Sequence, residues 1–406
     1  MLSFFPTPYP DEWWYSVLCR YHVKSGNEKF QTTIRELFQG KPRTMIGAFF
    51  PNNTIYQICE QLPPSFTIKK LILEHTPFLY YMRMYTVQQK ENFLEALCKG
   101  EATTPTYIWK TAGGKNQPLR YCPLCAQEER DRYGESYWHT LHQLPLVTAC
   151  DIHHCRLLNA SSEALRLNEG FYMIPAENPQ VEPIDKASVE LLLGKISNEY
   201  LTADFSVSPT QNHNNLAQTL MNKGYGVLKK GGIISLDAER IYSDLQEFHG
   251  KEPVKRIFGE EASAYTLNRI VKWNLSSPER YIMLQGLAGL TTETVFSEKA
   301  IPDQMRVRLE AFQATGVLYG RKQLAGQLGV KPHQLDILAR NYGVEPFWKG
   351  SKGSQPRTEM LKLYLTEEEL LTIRNRAKEM GFPHTSDYVK FCIHQQMNVD
   401  KSTLKE

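Results

Sequence analysis

The chain has 406 residues, 41% of them hydrophobic and 22% charged. That is an ordinary globular balance, long enough for roughly two to four compact units, and it excludes wholesale disorder. A net charge of +3 permits a nucleic-acid partner without requiring one, so any basic surface has to be local. No run of about 18 apolar residues is present, which excludes an ordinary membrane-spanning helix, and Met1-Leu2-Ser3 opens no basic, then apolar, secretory signal.

Residues 1–117 read mainly as helices. Asp11 is placed to cap a helix over residues 13–21, and residues 67–77 and 85–99 have amphipathic periodicity. Gly113-Gly114-Lys115 closes this region as a turn; it lacks the spacing and the following Ser/Thr of a phosphate-binding loop. Residues 118–160 form a cysteine-rich segment. A Pro/Glu/Asp cluster at 175–186 reads as a linker. Helical periodicity resumes over 187–250, broken by a Gly-containing stretch at 224–232 that suits a hairpin or wing, and returns over 263–345. Residues 349–357 have linker composition and set off a C-terminal piece. The expected fold is therefore mainly α and multidomain: a helical domain at 1–117, a zinc-binding domain at 118–160, helical domains at 161–262 and 263–348, and a small domain at 356–400.

Of eight cysteines, four fall in one 34-residue window, a pattern suited to a reducing cytoplasm and one metal site rather than a disulfide framework. Cys122-Pro123-Leu124-Cys125 and Cys150-Asp151-Ile152-His153 are two soft-ligand pairs, each with two intervening residues. Tight turns of that kind aim both side chains at one ion, and a Cys3His set closes a structural zinc site with no open position for water. His154 and Cys155 compete for the last place. His139 and His142 read as packing or hydrogen-bonding residues beside Trp138. The plainer alternative is a group of free buried cysteines.

Residues 321–340 fit a helix-turn-helix. Ala325 is the small residue where two helices touch, Gly329 suits a positive-φ turn, and Val330, Leu335 and Leu338 close the hairpin, with Pro332 in the first turn of the second helix. Its outer face would offer Lys331, His333, Gln334, Asp336 and Arg340 to a major groove. Lys331 stands where a Ser/Thr cap is usual. An ordinary packing hairpin is the alternative.

Residues 360–365 alternate as a strand, with Lys362 and Tyr364 on one side and Leu361, Leu363 and Leu365 on the other. Thr366 to Glu369 is a capping box opening a helix that stops at Gly381, and Ser386 is placed to cap a second helix. Strand, helix, helix resembles the ribbon-helix-helix class, in which Lys362 and Tyr364 would face DNA and the strand would pair with a second subunit, giving a homodimer. A helical hairpin docked on the rest of the chain fits equally well.

The order of these features resembles the TnsD/TniQ family of transposon target-selection proteins. The N-terminal words are Phe5-Pro6-Thr7-Pro8-Tyr9-Pro10-Asp11-Glu12, Tyr15-Ser16 and Arg20-Tyr21-His22, with Trp13-Trp14 where a leucine pair is expected. The metal segment matches through Arg120-Tyr121-Cys122, Tyr137-Trp138-His139, His142-Gln143-Leu144-Pro145, Cys150 and His153, with Asp151 replacing a proline. The resemblance covers residues 1–160. It implies a non-catalytic bacterial adaptor that binds a DNA attachment site and recruits a TnsC-like AAA+ ATPase regulator of the transposase. Within the same family the alternative is a TniQ-like link between an RNA-guided CRISPR effector complex and that ATPase. Outside it, a zinc-containing transcriptional repressor would use the same modules.

Overall fold

A computed structural model describes residues 2–39, 49–101, 118–160, 170–176, 180–203, 214–229, 233–260, 266–267, 277–349, 364–381, 384–386, 388–389 and 392–393, with backbone alone for 227–229 and 233–234. The Gly113-Gly114-Lys115 turn, the linker at 350–357 and the segment 360–363, Lys362 included, lie outside them. Contacts divide the chain into Met1–Val317 with Ala325–Phe347, and Leu318–Leu324 with Trp348–Glu406.

In the first unit, helix α1 (Trp14–Lys24) is buried on every residue from Trp14 to Tyr21, the polar Ser16 and Arg20 included. Asp11 does not cap it. Trp13 occupies the cap position with no side-chain cap bond, while Asp11 takes a positive φ of 53° because its carbonyl and carboxylate are engaged elsewhere. Helices α2 (Phe30–Phe38), α3 (Asn53–Cys59), α4 (Ile68–Glu74), α5 (Phe78–Met82) and α6 (Val87–Cys98) follow α1. The helix expected at 67–77 stops at Glu74, and Pro77 becomes the cap position of α5, since the residue before a proline avoids helical backbone. The Thr86/Gln89 capping box fixes the start of α6.

The cysteine-rich segment adds α7 (Pro123–Tyr133), α8 (Thr140–Gln143) and two short antiparallel pairs: β1 (Arg120–Tyr121) with β4 (Leu158–Asn159), and β2 (Ala149–Cys150) with β3 (Cys155–Arg156). The supposed linker at 175–186 is tied to it. Arg156 donates its amide to Glu182 O at 2.9 Å, Ile184 donates to His154 O at 2.8 Å, and Pro183 bridges Cys155. This ladder uses the amide after Pro183 and the carbonyl before it, so the proline costs no bond; composition alone could not show that.

Helices α9 (Val189–Thr202), α10 (Asn215–Asn222), α11 (Ala238–His249), α12 (Lys251–Phe258), α13 (Pro278–Ala288), α14 (Thr292–Phe296) and α15 (Gln304–Ala314) continue the unit. The hairpin expected near 224–232 is present as β5 (Gly226–Lys229) against β6 (Ile233–Leu236). A side chain on Gly226 would meet Ser235 O at 2.8 Å. Residues 325–347 are held to α15 by Tyr342, whose hydroxyl donates to Asp303 Oδ2 at 2.7 Å.

The segment expected to be a helix-turn-helix contains α16 (Arg321–Leu328), Gly329 at φ 72°, a 3-10 turn (Pro332–Gln334) and α17 (Leu335–Tyr342). Ala325, Leu335 and Leu338 are buried and Val330 half-buried. In the second unit, β7 (Tyr319–Gly320) pairs in parallel with β8 (Trp348–Lys349), and α18 (Glu367–Glu379) carries the expected Thr366/Glu369 capping box. Tyr364 and Leu365 are in irregular backbone and exposed, so Leu365 does not face a core. Ser386 already lies in a helical turn that begins at residue 385, with Tyr388 donating to His384 O; it is not the cap.

Asn215 joins α10 to the loop after α14. Its Nδ2 donates to Thr294 O at 2.9 Å and Lys299 O at 3.1 Å, and its Oδ1 accepts from Ile301 N at 2.8 Å. Asn215→Ala removes these three bonds, at about 1–3 kcal/mol for each partner that water cannot reach. Urea unfolding is expected to show a loss of about 2–4 kcal/mol.

Candidate metal centre

Cys122, Cys125, Cys150 and His153 converge, each with a ligand atom within 4.8 Å of the others. Cys122 is the cap residue of α7, with Pro123 at the first helical position and Cys125 donating its amide to the Cys122 sulfur at 3.5 Å. The second pair repeats this: His153 donates its amide to Cys150 Sγ at 3.4 Å. Both turns thus supply amide dipoles to a sulfur, and the α7 N-terminus adds its own positive end.

The spacing suits one ion. His153 Nδ1 lies 3.5, 3.3 and 3.6 Å from the sulfurs of Cys122, Cys125 and Cys150, and Cys125 and Cys150 are 3.7 Å apart. Ligands at zinc–sulfur and zinc–nitrogen bond lengths on a tetrahedron stand about 3.5–3.8 Å from one another. Thiols of Cys125 and Cys150 pointing at its sulfur hold Cys122 down to about 3, while Cys125 is pushed up by the same crowding. A divalent cation would relieve both. The far nitrogen of His153 meets Glu128 Oε1 at 3.0 Å, the carboxylate–imidazole arrangement that orients a metal-bound histidine. Glu128 was not singled out from sequence; its signal was an acid on the helix that begins at Cys-x-x-Cys. Cys155, buried, stands 3.5 Å from Cys122 Sγ but outside the four-ligand group, and His154 sits at φ 48° in the turn between them.

His139 and His142 are not in that group. His139 lies between Asp11 Oδ2, at 3.1 Å, and Glu129 Oε1. Burial alone would lower its pKa, but the two carboxylates raise it to about 10. His142 is pushed down to about 4 by burial, despite Cys150 beside it.

The quoted sequence words interlock around this centre. Trp138 donates its amide to Ser16 Oγ at 3.0 Å, and Ser16 Oγ donates to Glu12 Oε1 at 2.9 Å. Arg20 pairs with buried Glu12 at 2.8 Å and with Glu135 at 2.9 Å, its guanidinium 3.8 Å from the Tyr9 ring centre. Trp13 donates to Trp138 O and Thr140 to Asp11 O, both at 2.8 Å. Arg120 N donates to Gln143 Oε1 and Gln143 Nε2 returns a bond to Arg120 O, while Arg120 Nη2 reaches Leu144 O at 2.8 Å. Burial, with Arg256 nearby, pushes that guanidinium down to about 10.

A family model described as TniQ matches residues 3–157, the stretch that contains every one of these hydrogen bonds and ion pairs. That stretch is a TniQ domain. The chain is similar to the transposon Tn7 transposition protein TnsD of Escherichia coli, 25% identical over 154 residues, which is 37% of this chain and 30% of that relative. The likeness therefore spans under a third of the relative's length.

Other expected contact residues lie outside that stretch. Lys331, His333 and Arg340 are exposed, Gln334 and Asp336 half-buried. Gln334 Oε1 accepts the Lys331 amide at 2.8 Å, the bond that position N3 returns to the cap residue in a capping box. Arg340 Nε donates to Asp336 O. Tyr364 is 92% exposed.

Two outcomes follow for the TniQ stretch. Elemental analysis is expected to find one equivalent of metal in the parent and none in Cys122→Ser or Cys150→Ser, and both variants should melt earlier, because binding and folding of such a site are coupled. His139 is protonated up to about 10 in the folded chain against 6.5 ordinarily. The stability this gives is complete below 6.5 and is lost as pH rises through about 10. Melting temperature should fall across that alkaline window, and His139→Gln should flatten the fall.

Proposed function

We propose that this protein is a TnsD-like transposition target-site selector that binds a specific double-stranded DNA attachment site and recruits a TnsC-like AAA+ ATPase regulator, with no catalytic chemistry of its own. The observation that carries the reading is the TniQ match over residues 3–157, joined to the similarity with Tn7 TnsD. The proposed cofactor is structural zinc on Cys122, Cys125, Cys150 and His153, whose spacing fits it and whose role is to hold the TniQ stretch in shape rather than to react. Lys331, His333 and Arg340 are exposed on the helix-turn-helix segment and suit phosphate and base-edge contacts there. Tyr364 and Lys362 are the proposed contacts of the C-terminal piece, which would also carry a homodimer. No helix among the described residues is long and apolar enough to cross a membrane, and the proposed place of action is the bacterial cytoplasm.

One observation favours a second reading. Gln334 is committed to a cap bond and Asp336 would bring negative charge toward phosphates, which leaves few side chains to specify bases. A TniQ-like adaptor, with an RNA-guided CRISPR effector complex reading the sequence, needs fewer.

Binding selection of the purified protein against random and genomic duplexes at near-physiological salt separates the two. A direct reader enriches one motif, with affinity falling as salt rises; salt-sensitive binding without a motif would overturn direct reading and leave the adaptor. Arg340→Ala is expected to weaken duplex binding by about 1–3 kcal/mol with an unchanged melting temperature, measured by fluorescence anisotropy.

A further inference from the structure

Beside the four converging donors, a fifth soft donor, Cys155, lies against Cys122. We propose that Cys155 is a reserve ligand, which takes the fourth place on the metal when the His153 imidazole leaves it.

Burial separates the donors. Cys122, Cys125 and Cys150 are almost fully enclosed, while His153 is half-buried with its far nitrogen turned to Glu128, an exposed side chain. His153 also lies in the 151–154 turn between β2 and β3, and it is the one of the four that is not buried. Within the described ligand set it is therefore the arm that solvent or a partner reaches first. Cys155 has the opposite character. It is 1% exposed and its sulfur already lies 3.5 Å from Cys122 Sγ, close to the ligand-to-ligand spacing of a tetrahedral site. It faces Cys150 directly across the β2–β3 ladder, and directly opposed residues of a pair project to the same face. Its strand is held on the far side by the 182–184 segment and by Arg156, which pairs with Glu182 and Glu190. Cys155 thus stays in place when the turn carrying His153 moves. The exchange is a substitution at the metal: the bond to imidazole nitrogen breaks, the Cys155 thiol gives its proton to solvent, and its thiolate binds. No oxidant or reductant is needed. The inference concerns the metal alone and does not depend on whether the chain selects DNA targets.

The test uses the full chain as His153→Ala, Cys155→Ala and the double variant, with zinc counted by elemental analysis after dialysis against a chelator and with cobalt(II) as spectroscopic probe. The expected result is one equivalent of zinc in the parent and in each single variant, and none in the double. In cobalt-loaded His153→Ala, the sulfur-to-cobalt charge-transfer band should gain about one third over the parent, as three thiolates become four. The proposal is overturned if His153→Ala loses its zinc as fully as the double variant, or if its cobalt band keeps the three-thiolate intensity, which would mean water fills the place. Should His153→Ala fail to fold, His153→Gln gives the same two readouts.

Discussion

The TniQ stretch depends on burying Arg20. Its guanidinium is enclosed between Glu12 and Glu135, with the Tyr9 ring stacked on it and Lys24 closing the outer carboxylate. A buried ion pair is weak evidence for stability by itself, because desolvation offsets most of the attraction. Here the pair contributes mainly specificity. Glu12 is fully buried, and burial pushes its carboxyl up to about 7 against the pull of Arg20, the Tyr9 amide and the Ser16 hydroxyl. Only one arrangement satisfies all of these groups at once, and it needs Glu135 and the Trp138 amide in place. The N-terminal segment and the metal-bearing segment are therefore fixed to each other by polar bonds that a slipped register would leave unmet.

Seen this way, the separate sequence words are parts of one object. Helix α7 carries two of the candidate metal donors at its start, then Glu128 toward His153 and Glu129 toward His139, and His139 in turn meets Asp11. A continuous run of contacts leads from the metal ligands to the start of the chain. The Arg120–Gln143 exchange and the Arg120 contact with Leu144 close the other side. These residues are invested in holding backbone carbonyls and amides, which accounts for polar side chains being retained in a buried layer where apolar ones would pack as well.

How much of this was legible follows from the range of each signal. The four donors could be read because Cys-x-x-Cys and Cys-x-x-His are local patterns with a local cause, the turn that aims two side chains one way. The capping boxes at Thr86 and Thr366 and the turn at Gly329 are likewise set within a few residues, although the Thr86 box was passed over. Asp11 was misread as a cap because its sequence neighbourhood is that of a cap; its true partners, Thr140 and His139, are about 130 positions away. The 175–186 segment was misread as a linker for the same reason, since nothing in its composition reports the β3 edge it covers. Leu365 shows the converse error: alternation predicted an inward side chain, and the residue is exposed.

The size change at Trp13-Trp14 shows how the fold accommodates a departure from the family's pattern. Two indoles where two leucines are expected add volume that a close-packed interior would resist. Both are buried: Trp13 packs against Tyr15 and Phe49, and Trp14 against Phe5. The surrounding layer is itself aromatic, with Phe50, Phe78, Tyr80 and Tyr81 in mutual edge or tilted contact. Flat rings meeting at an angle leave wide, shallow gaps that an indole fills and a branched aliphatic chain does not. The cost appears at the indole nitrogen of Trp14, which is buried with no hydrogen-bond acceptor among the described residues. That unmet donor works against stability by itself, so the retention of tryptophan there is explained by packing and not by polarity.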